Sequence, residues 1–453
     1  MSTELPREHR SPPTWSPGLK AFWIVVGGIL CLLWCSATVL RLAPPRDVFY
    51  DYVQEWTSVR NFFSGQPIYL SMNESIPLHF GPDARALLLD VNAHPPASIL
   101  LSLPFGLLGY REAHLAWNMV SLVALAVSVW LIIRPTGLDF SPWLVLPIAT
   151  LLLTSNSLAQ QINHGQFNLV LLLLITGSWL ADRSGREEAA GLLLGIAAAI
   201  KLFPAFLAIY FIAQRRWRSL AICVLSFLTI NGLAATIFGA DCYRTYFQEI
   251  VPRVNHGFRD FWPNASLNGY WCKLFDAPNG HVIPLVKCPT AYRIATFVSS
   301  CVVVGLIFWK CRSSRTLVQR DLAFGACVLA MVLVSPITWD HYFLMLLLSW
   351  AILWKQMQPH PANRVLVLAS VLVLATIYPK WIWCWTIPGP GELVLDPHIK
   401  PSVATPLQVL TVVSYQFYAL LGLFLFALSR RPLPESPALD TAAPAHDVAA
   451  RMA

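Results

Sequence analysis

Three kinds of residue in this chain could act together on a substrate: carboxylates in a polar loop, a lysine inside an apolar run and a histidine at the head of another. Asp51 and Glu55 stand in the stretch Arg46 to Leu70 (RDVFYDYVQEWTSVRNFFSGQPIYL), directly after the first apolar run. Lys201 sits within GLLLGIAAAIKLFP, from Gly191 to Pro204, and His341 follows Trp339 and Asp340 in SPITWDH. A carboxylate can take the proton of an attacking hydroxyl. Cations and hydrogen-bond donors can meet the charge of a departing phosphate, and Lys201, His341 and Arg60 are the candidates. A lysine in an apolar run is costly and usually marks a functional site or a pathway, although one near the end of a span can extend its charge to the interface.

The elements that must carry these residues are membrane helices. Of the 453 residues, 56% are hydrophobic and only 12% charged, and apolar runs of spanning length recur to the end of the chain. The reading is all-α, with about twelve spans near 21–41, 94–110, 113–133, 141–158, 167–182, 189–213, 219–238, 290–310, 320–337, 341–354, 363–385 and 407–428. The first run lacks a small-residue cleavage site and reads as an anchor rather than a signal peptide. Basic clusters at 215–218, 310–315, 355–364 and 430–431 mark the cytoplasmic side. Both the 1–20 segment and the tail from 429 to 453 then lie inside. The tail is Pro- and Ala-rich and reads as disordered.

The same parity puts 42–93, 239–289 and 386–406 outside. It also leaves Gln166 and Asn168 on the cytoplasmic side, in conflict with an active-site role for them. The short runs and the polar Gln160–Asn168 interruption within 113–213 allow broken or re-entrant helices. The formal charge of +8 suits a cytoplasmic face against anionic lipid and gives no support for nucleic-acid binding. Cys242, Cys272 and Cys288 fall in an outer loop, where a disulfide is favoured by the compartment. A Cys272–Cys288 bridge would close a loop worth about 3 kcal/mol. No metal-ligand spacing, Walker loop or dinucleotide fingerprint is present.

Within the first loop, 49–63 has helical periodicity. Phe49, Val53, Trp56, Arg60 and Phe63 line one side, and Asp51, Glu55 and Ser58 another. This predicts a helix along the membrane surface with its acids turned to a cavity or to water, ended by Gly65-Gln66-Pro67. Trp339 could stack on a sugar or belong to the interfacial belt. Asn264 and Asn268 could bind hydroxyls or simply make turns. For Gln166 the ordinary role is helix-to-helix hydrogen bonding.

Taken in order, Asp51 with Gly65-Gln66-Pro67-Ile68-Tyr69, His94-Pro95-Pro96, His164-Gly165-Gln166-Phe167-Asn168, Gly191 to Pro204, Asn264-Ala265-Ser266-Leu267-Asn268-Gly269 and Ser335 to His341 resemble glycosyltransferase family 87. That family comprises polyprenol-phosphate-mannose-dependent integral membrane mannosyltransferases, and the resemblance spans roughly 45–350. Two positions depart from its pattern, Glu55 where Tyr is usual and Ala265 where Gln is usual. The resemblance implies a C-type glycosyltransferase of the plasma (inner) membrane, active on its outer face. It implies a hexose, mannose first, moved with inversion from a polyprenyl-phosphate donor to a glycolipid or glycan acceptor, without a metal or other cofactor. Asp51 would be the general base and His341 its catalytic companion. Lys201, Arg60, Glu55, Asn264, Asn268, Trp339, Asp340 and Gln166 would bind substrate. The rival is a polytopic lipid or solute transporter or flippase, which should show paired repeats of broken helices; none is evident in the sequence.

Overall fold

The computed structural model describes residues 16–30, 32–33, 42–44, 51–84, 90–136, 149–356, 361–387 and 403–430. Asp47, the head of the first-loop helix before Asp51 and the C-terminal tail lie outside them. Among the described residues the chain is helical throughout, apart from an isolated bridge that pairs Val282 with Ala404.

The elements that matter for the site are α1 (Val53–Phe63), α2 (Met72–Phe80), α3 (Tyr110–Thr136), α4 (Asn156–His164), α5 (Asn168–Arg183), α6 (Glu187–Ile200), α7 (Trp217–Phe238), α8 (Leu267–Phe275), α9 (Pro289–Ser313), α10 (Leu317–Val334) and α11 (Tyr415–Ser429). Four of them, α3, α7, α9 and α10, are long and apolar enough to cross a membrane among the described residues. Two bent pairs, α4 with α5 and Pro406–Val413 with α11, would raise the number to six. Among the described residues the other expected spans appear as shorter apolar helices, including Pro96–Leu107, Phe203–Ala213 and Ala362–Thr376. Proline and polar residues divide the others: the expected span 94–110 turns 3-10 around Pro104, and 189–213 stops at Lys201 before Pro204.

Helix α10 is buried along nearly its whole length and forms the centre of the bundle. By contrast α7 and α9 expose Leu225, Leu228, Phe297 and Val302, apolar groups that suit lipid rather than water. Against α7, α6 packs through Gly191 and Gly195, four residues apart. A Cβ on Gly191 would stand 2.2 Å from the Ser219 carbonyl oxygen, and one on Gly195 2.4 Å from that of Cys223. Only glycine lets the two backbones approach so closely, and this contact fixes the helix that ends at Lys201.

Helix α1 forms over the stretch its period predicts, with Glu55 covered rather than turned to water. Gln54, Glu55, Thr57 and Ser58 are buried together with Val53, Trp56 and Val59, because α2 and the segment around Asn92 cover the polar side. Asn92 donates to Ser58 Oγ at 3.0 Å and to the Gln54 carbonyl at 3.1 Å. In the segment 239–289, Cys242, Cys272 and Cys288 are free thiols. Cys272 is wholly buried on α8 while Cys288 precedes α9 at an intermediate position, so the expected bridge is not formed.

Candidate active site

The turn between α4 and α5 builds the site. Ser155 caps α4, its Oγ accepting from Leu158 N at 3.1 Å. At the other end Gly165 takes φ +59°, the left-handed conformation that stops the helix. A Cβ there would lie 2.8 Å from Tyr52 Cβ and 3.1 Å from His114 Nε2. Both conformation and space demand glycine, and the turn presents His164 on one side and Gln166 on the other.

Both side chains meet Asp51. Gln166 Nε2 donates to Asp51 Oδ2 at 2.9 Å, and His164 Nδ1 lies 3.2 Å from the same oxygen. Asp51 Oδ1 receives no hydrogen bond among the described residues. The other end of the same amide is held as well: Lys201 Nζ donates to Gln166 Oε1 at 2.8 Å. Gln161 fixes the turn by donating to the Gln166 carbonyl and accepting from Asn168 Nδ2 at 3.0 Å. A chain of contacts thus runs from Asp51 through Gln166 to Lys201. Asp51 keeps about a quarter of its side chain exposed (27%). Burial alone would raise its pKa, but the imidazoles of His164 and His341 and the Gln166 amide outweigh it and hold the carboxyl well below the usual carboxylate range.

Parity counting had set Gln166 apart from Asp51. The α4–α5 pair bends by 113°, so this part of the chain is not one straight crossing, and the turn brings Gln166 to Asp51. A nine-residue helix such as α4 is too short to span a bilayer.

His341 heads the 3-10 turn Asp340–Leu346, with its ring centroid 5.9 Å from that of His164. Its Nδ1 lies 3.5 Å from Asp340 Oδ1, while its buried Nε2 has no hydrogen-bond partner among the described residues. Asp340 is tied back to α4, accepting from Asn156 Nδ2 at 2.6 Å on its carboxylate and from Ser157 Oγ at 2.7 Å on its carbonyl. Next along the chain, Tyr342 places its ring 5.1 Å from Lys201 Nζ, in cation–π range. Glu55, one helical turn beyond Asp51, is buried and paired with His94, whose ring stands edge-on to Phe167 at 5.3 Å.

The other expected residues lie in different surroundings. Arg60 sits over the Trp56 ring at 5.6 Å, beside His79, whose pKa is lowered by burial and then by the Arg60 charge. Trp339 meets Phe258 and Phe261 edge-on at 5.5 and 5.6 Å. Asn264 donates to the Pro336 carbonyl at 3.3 Å and accepts from the backbone N–H groups of Ser266 and Thr338 at 3.2 and 3.0 Å. Asn268 donates to the same carbonyl at 3.0 Å and accepts from Tyr292 Oη at 2.6 Å. Both asparagines thus brace the segment that leads into His341.

His164, Tyr342, Asn156 and His94 had no place in the sequence-based site. His164 and His94 stood within recognised motifs, and Tyr342 adjoined His341, but nothing in their spacing marked which side chains would converge. Among the described residues no group of three or more His, Cys, Asp or Glu is placed to hold a metal ion.

Residues 92–336 match the family model of glycosyltransferase family 87. Gln166, His164 and Lys201 fall inside the match; Asp51 precedes it and His341 lies just beyond. Among curated proteins the chain is 26% identical over 260 residues to the polyprenol-phosphate-mannose-dependent alpha-(1-2)-phosphatidylinositol pentamannoside mannosyltransferase of Mycolicibacterium smegmatis, covering 56% of this chain and 58% of that protein. It is 24% identical to the corresponding phosphatidylinositol mannoside mannosyltransferase of Mycobacterium tuberculosis, covering 72% of this chain and 74% of that one. To the alpha-(1->3)-arabinofuranosyltransferase of Mycobacterium tuberculosis it is 22% identical, covering 65% and 64%. Among solved structures, ArnT from Cupriavidus metallidurans in the apo state aligns over 90% of this chain and 76% of its own, at 14% identity and a TM-score of 0.41. The chain spans well under two thirds of the first of these relatives. With the family model matching more than half of its length, the chain belongs to glycosyltransferase family 87.

Proposed function

We propose that this protein transfers a hexosyl residue, mannose first among candidates, from a polyprenyl-phosphate donor to a hydroxyl of a lipid or glycan acceptor. The reaction takes place on the outer face of the plasma membrane, with both termini cytoplasmic and with inversion at the anomeric carbon. The observation that carries this reading is the Asp51 carboxylate, held through one oxygen, open at the other, and joined by the Gln166 amide to a buried lysine. Two relatives whose names specify polyprenol-phosphate-mannose dependence support the donor class.

In this scheme the acceptor hydroxyl gives its proton to Asp51 Oδ1 as its oxygen attacks the anomeric carbon. The bond from that carbon to the phosphate oxygen breaks, and polyprenyl phosphate departs with the electron pair. A phosphate leaves readily, so no strong general acid is needed. Lys201 supplies a fixed positive charge toward the departing group, and the unpartnered Nε2 of His341 a further polar contact. Gln166 holds base and cation in register, which is worth most when reacting groups must be aligned closely.

The test is reconstitution in liposomes with polyprenyl-phosphate-mannose and a lipid and glycan extract as acceptor. The expected outcome is release of polyprenyl phosphate with label appearing in the acceptor fraction. Movement of lipid between leaflets with no sugar transferred from mannose, other hexose or arabinofuranose donors would replace the enzyme with a transporter.

A further inference from the structure

We propose that His164 is the positioning residue of this site: by occupying Asp51 Oδ2 together with Gln166 it turns Oδ1 toward the acceptor, and its own protonation governs how well that oxygen accepts a proton. This rests on the glycosyl-transfer reading above. The geometry is unusual in one respect. Two independent side chains, His164 Nδ1 at 3.2 Å and Gln166 Nε2 at 2.9 Å, converge on one oxygen of a single carboxylate. A carboxylate has about four acceptor positions over two oxygens, and the contacts to Asp51 gather on one oxygen. Here the described residues leave Oδ1 for an incoming O–H.

The grip is rigid because the turn is. Gly165 cannot accept a side chain without striking Tyr52, the residue next to Asp51, so the two gripping side chains and the gripped one are keyed to the same backbone contact. Yet His164 is not sealed: 33% of its side chain is exposed, against 27% for Asp51. It can exchange protons with water while Gln166 cannot titrate at all.

Neutral His164 stands with Nδ1 3.2 Å from the carboxylate, close but without a formed hydrogen bond, and leaves its charge intact. Cationic His164 makes the same contact but adds a positive charge beside the base, which weakens it as a proton acceptor. Imidazole is the side chain that titrates between pH 5 and 8. Asp51 itself is held ionised throughout that range, so it cannot supply an acidic limb there. The charged and titratable groups around His164 are Asp51 from the first loop, His114 from α3, and Asp340 and His341 from the 3-10 turn, with Tyr52 against the adjacent Gly165, Tyr342 beside His341 and Lys201 behind Gln166. The π-helical turn Leu372–Thr376, also against α4, carries no titratable side chain.

The experiment measures kcat, KM for polyprenyl-phosphate-mannose and the pH profile of kcat from pH 5.5 to 8.5 in wild type, His164→Ala, His164→Asn and Asp51→Asn, all in liposomes. His164→Ala should lower kcat by about 10- to 100-fold with donor KM within about twofold, as expected for a misaligned reacting group. His164→Asn puts an amide N–H close to the position of Nδ1, so it should recover most of kcat while losing the acidic limb. If His164→Ala does not fold, the profile of His164→Asn decides alone. An acidic limb that persists unchanged in His164→Asn, or a kcat for His164→Ala within twofold of wild type, overturns the proposal. Failure of the underlying reading looks different: wild type without transfer, or Asp51→Asn as active as wild type.

Discussion

Helix α5 carries a buried polar cluster at each end, and the two are built on opposite plans. At its C-terminal end every acid is matched by a guanidinium and a neutral donor. Arg183 pairs with Asp321, which also accepts from Trp179 Nε1 at 2.8 Å. Asp182 accepts from Tyr210 Oη at 2.8 Å and lies 3.3 Å from Arg216 Nε, whose guanidinium also donates to Glu187 at 2.9 Å. At the N-terminal end, about 24 Å away for a helix of this length, Asp51 meets an amide and an imidazole but no guanidinium. Among the described residues one of its oxygens receives no hydrogen bond, and the neighbouring His341 Nε2 is buried without a partner. Buried polar atoms are normally satisfied. A cluster whose carboxylates face guanidinium charges holds helices together even with Asp182 Oδ1 lacking a hydrogen bond, whereas Asp51, without a guanidinium, is arranged for a ligand to meet.

The sharpest way to break this contrast is to neutralise one acid at each end. Asp51→Asn keeps size and most hydrogen bonding but cannot take a proton, so transfer should fall by about 10² to 10⁴-fold with donor binding retained. Glu55→Gln, one turn along and already engaged by His94, should cost much less chemistry. If Asp51→Asn remains active while Glu55→Gln is dead, the base is reassigned. At the other end Arg183→Ala strands the Asp321 carboxylate. The expected outcome is a loss of about 3–5 kcal/mol of stability, read as a lower unfolding midpoint in detergent, with the folded fraction turning over normally. A selective loss of kcat without loss of stability would make the C-terminal cluster part of the machinery and end the comparison.

The next effect in size concerns Lys201. Truncation to alanine should weaken donor binding and lower turnover by about 10²-fold, the scale of removing one strong donor from a developing anion. His341→Ala should lower turnover more than binding, since its free Nε2 has no resting partner to lose. Equal loss of binding in both variants would argue that His341 meets the donor in its ground state.

Much of this site could be read from the sequence, and the exceptions have physical reasons. Composition alone identified membrane helices, and helical spacing placed Glu55 near Asp51, one turn on. The same spacing argues against Arg60 there: nine residues make two and a half turns, so its side chain departs on the opposite face, where the structure finds it over Trp56. Parity counting separates Gln166 from Asp51 because it treats each apolar run as a straight full crossing, whereas the bend at Gly165 brings the two side chains into contact. Asn264 and Asn268 show a different limit. An amide that binds a sugar and one that braces a carbonyl have the same sequence signature, and only the fold reveals that Pro336 O takes both.

A third buried charge extends the comparison, and it predicts the smallest effect. Lys273 on α8 is sealed from solvent, and its Nζ donates to the carbonyls of Trp262 and Asn264 at 3.1 and 2.9 Å. Burial pushes its pKa down to about 7, partly offset by the Cys272 and Asp260 charges. The unfolded chain, with lysine near about 10.4, then binds more protons than the folded one between those two values, so stability rises with pH across that interval. The slope approaches about 1.4 kcal/mol per pH unit at most. Lys273→Met should flatten the rise in unfolding midpoint between pH 7.5 and 9 without changing the pH profile of transfer. A flattened profile of transfer in the same variant would tie this cluster to catalysis, and distance from the Asp51 carboxylate would no longer separate the structural charges of this protein from the reactive ones.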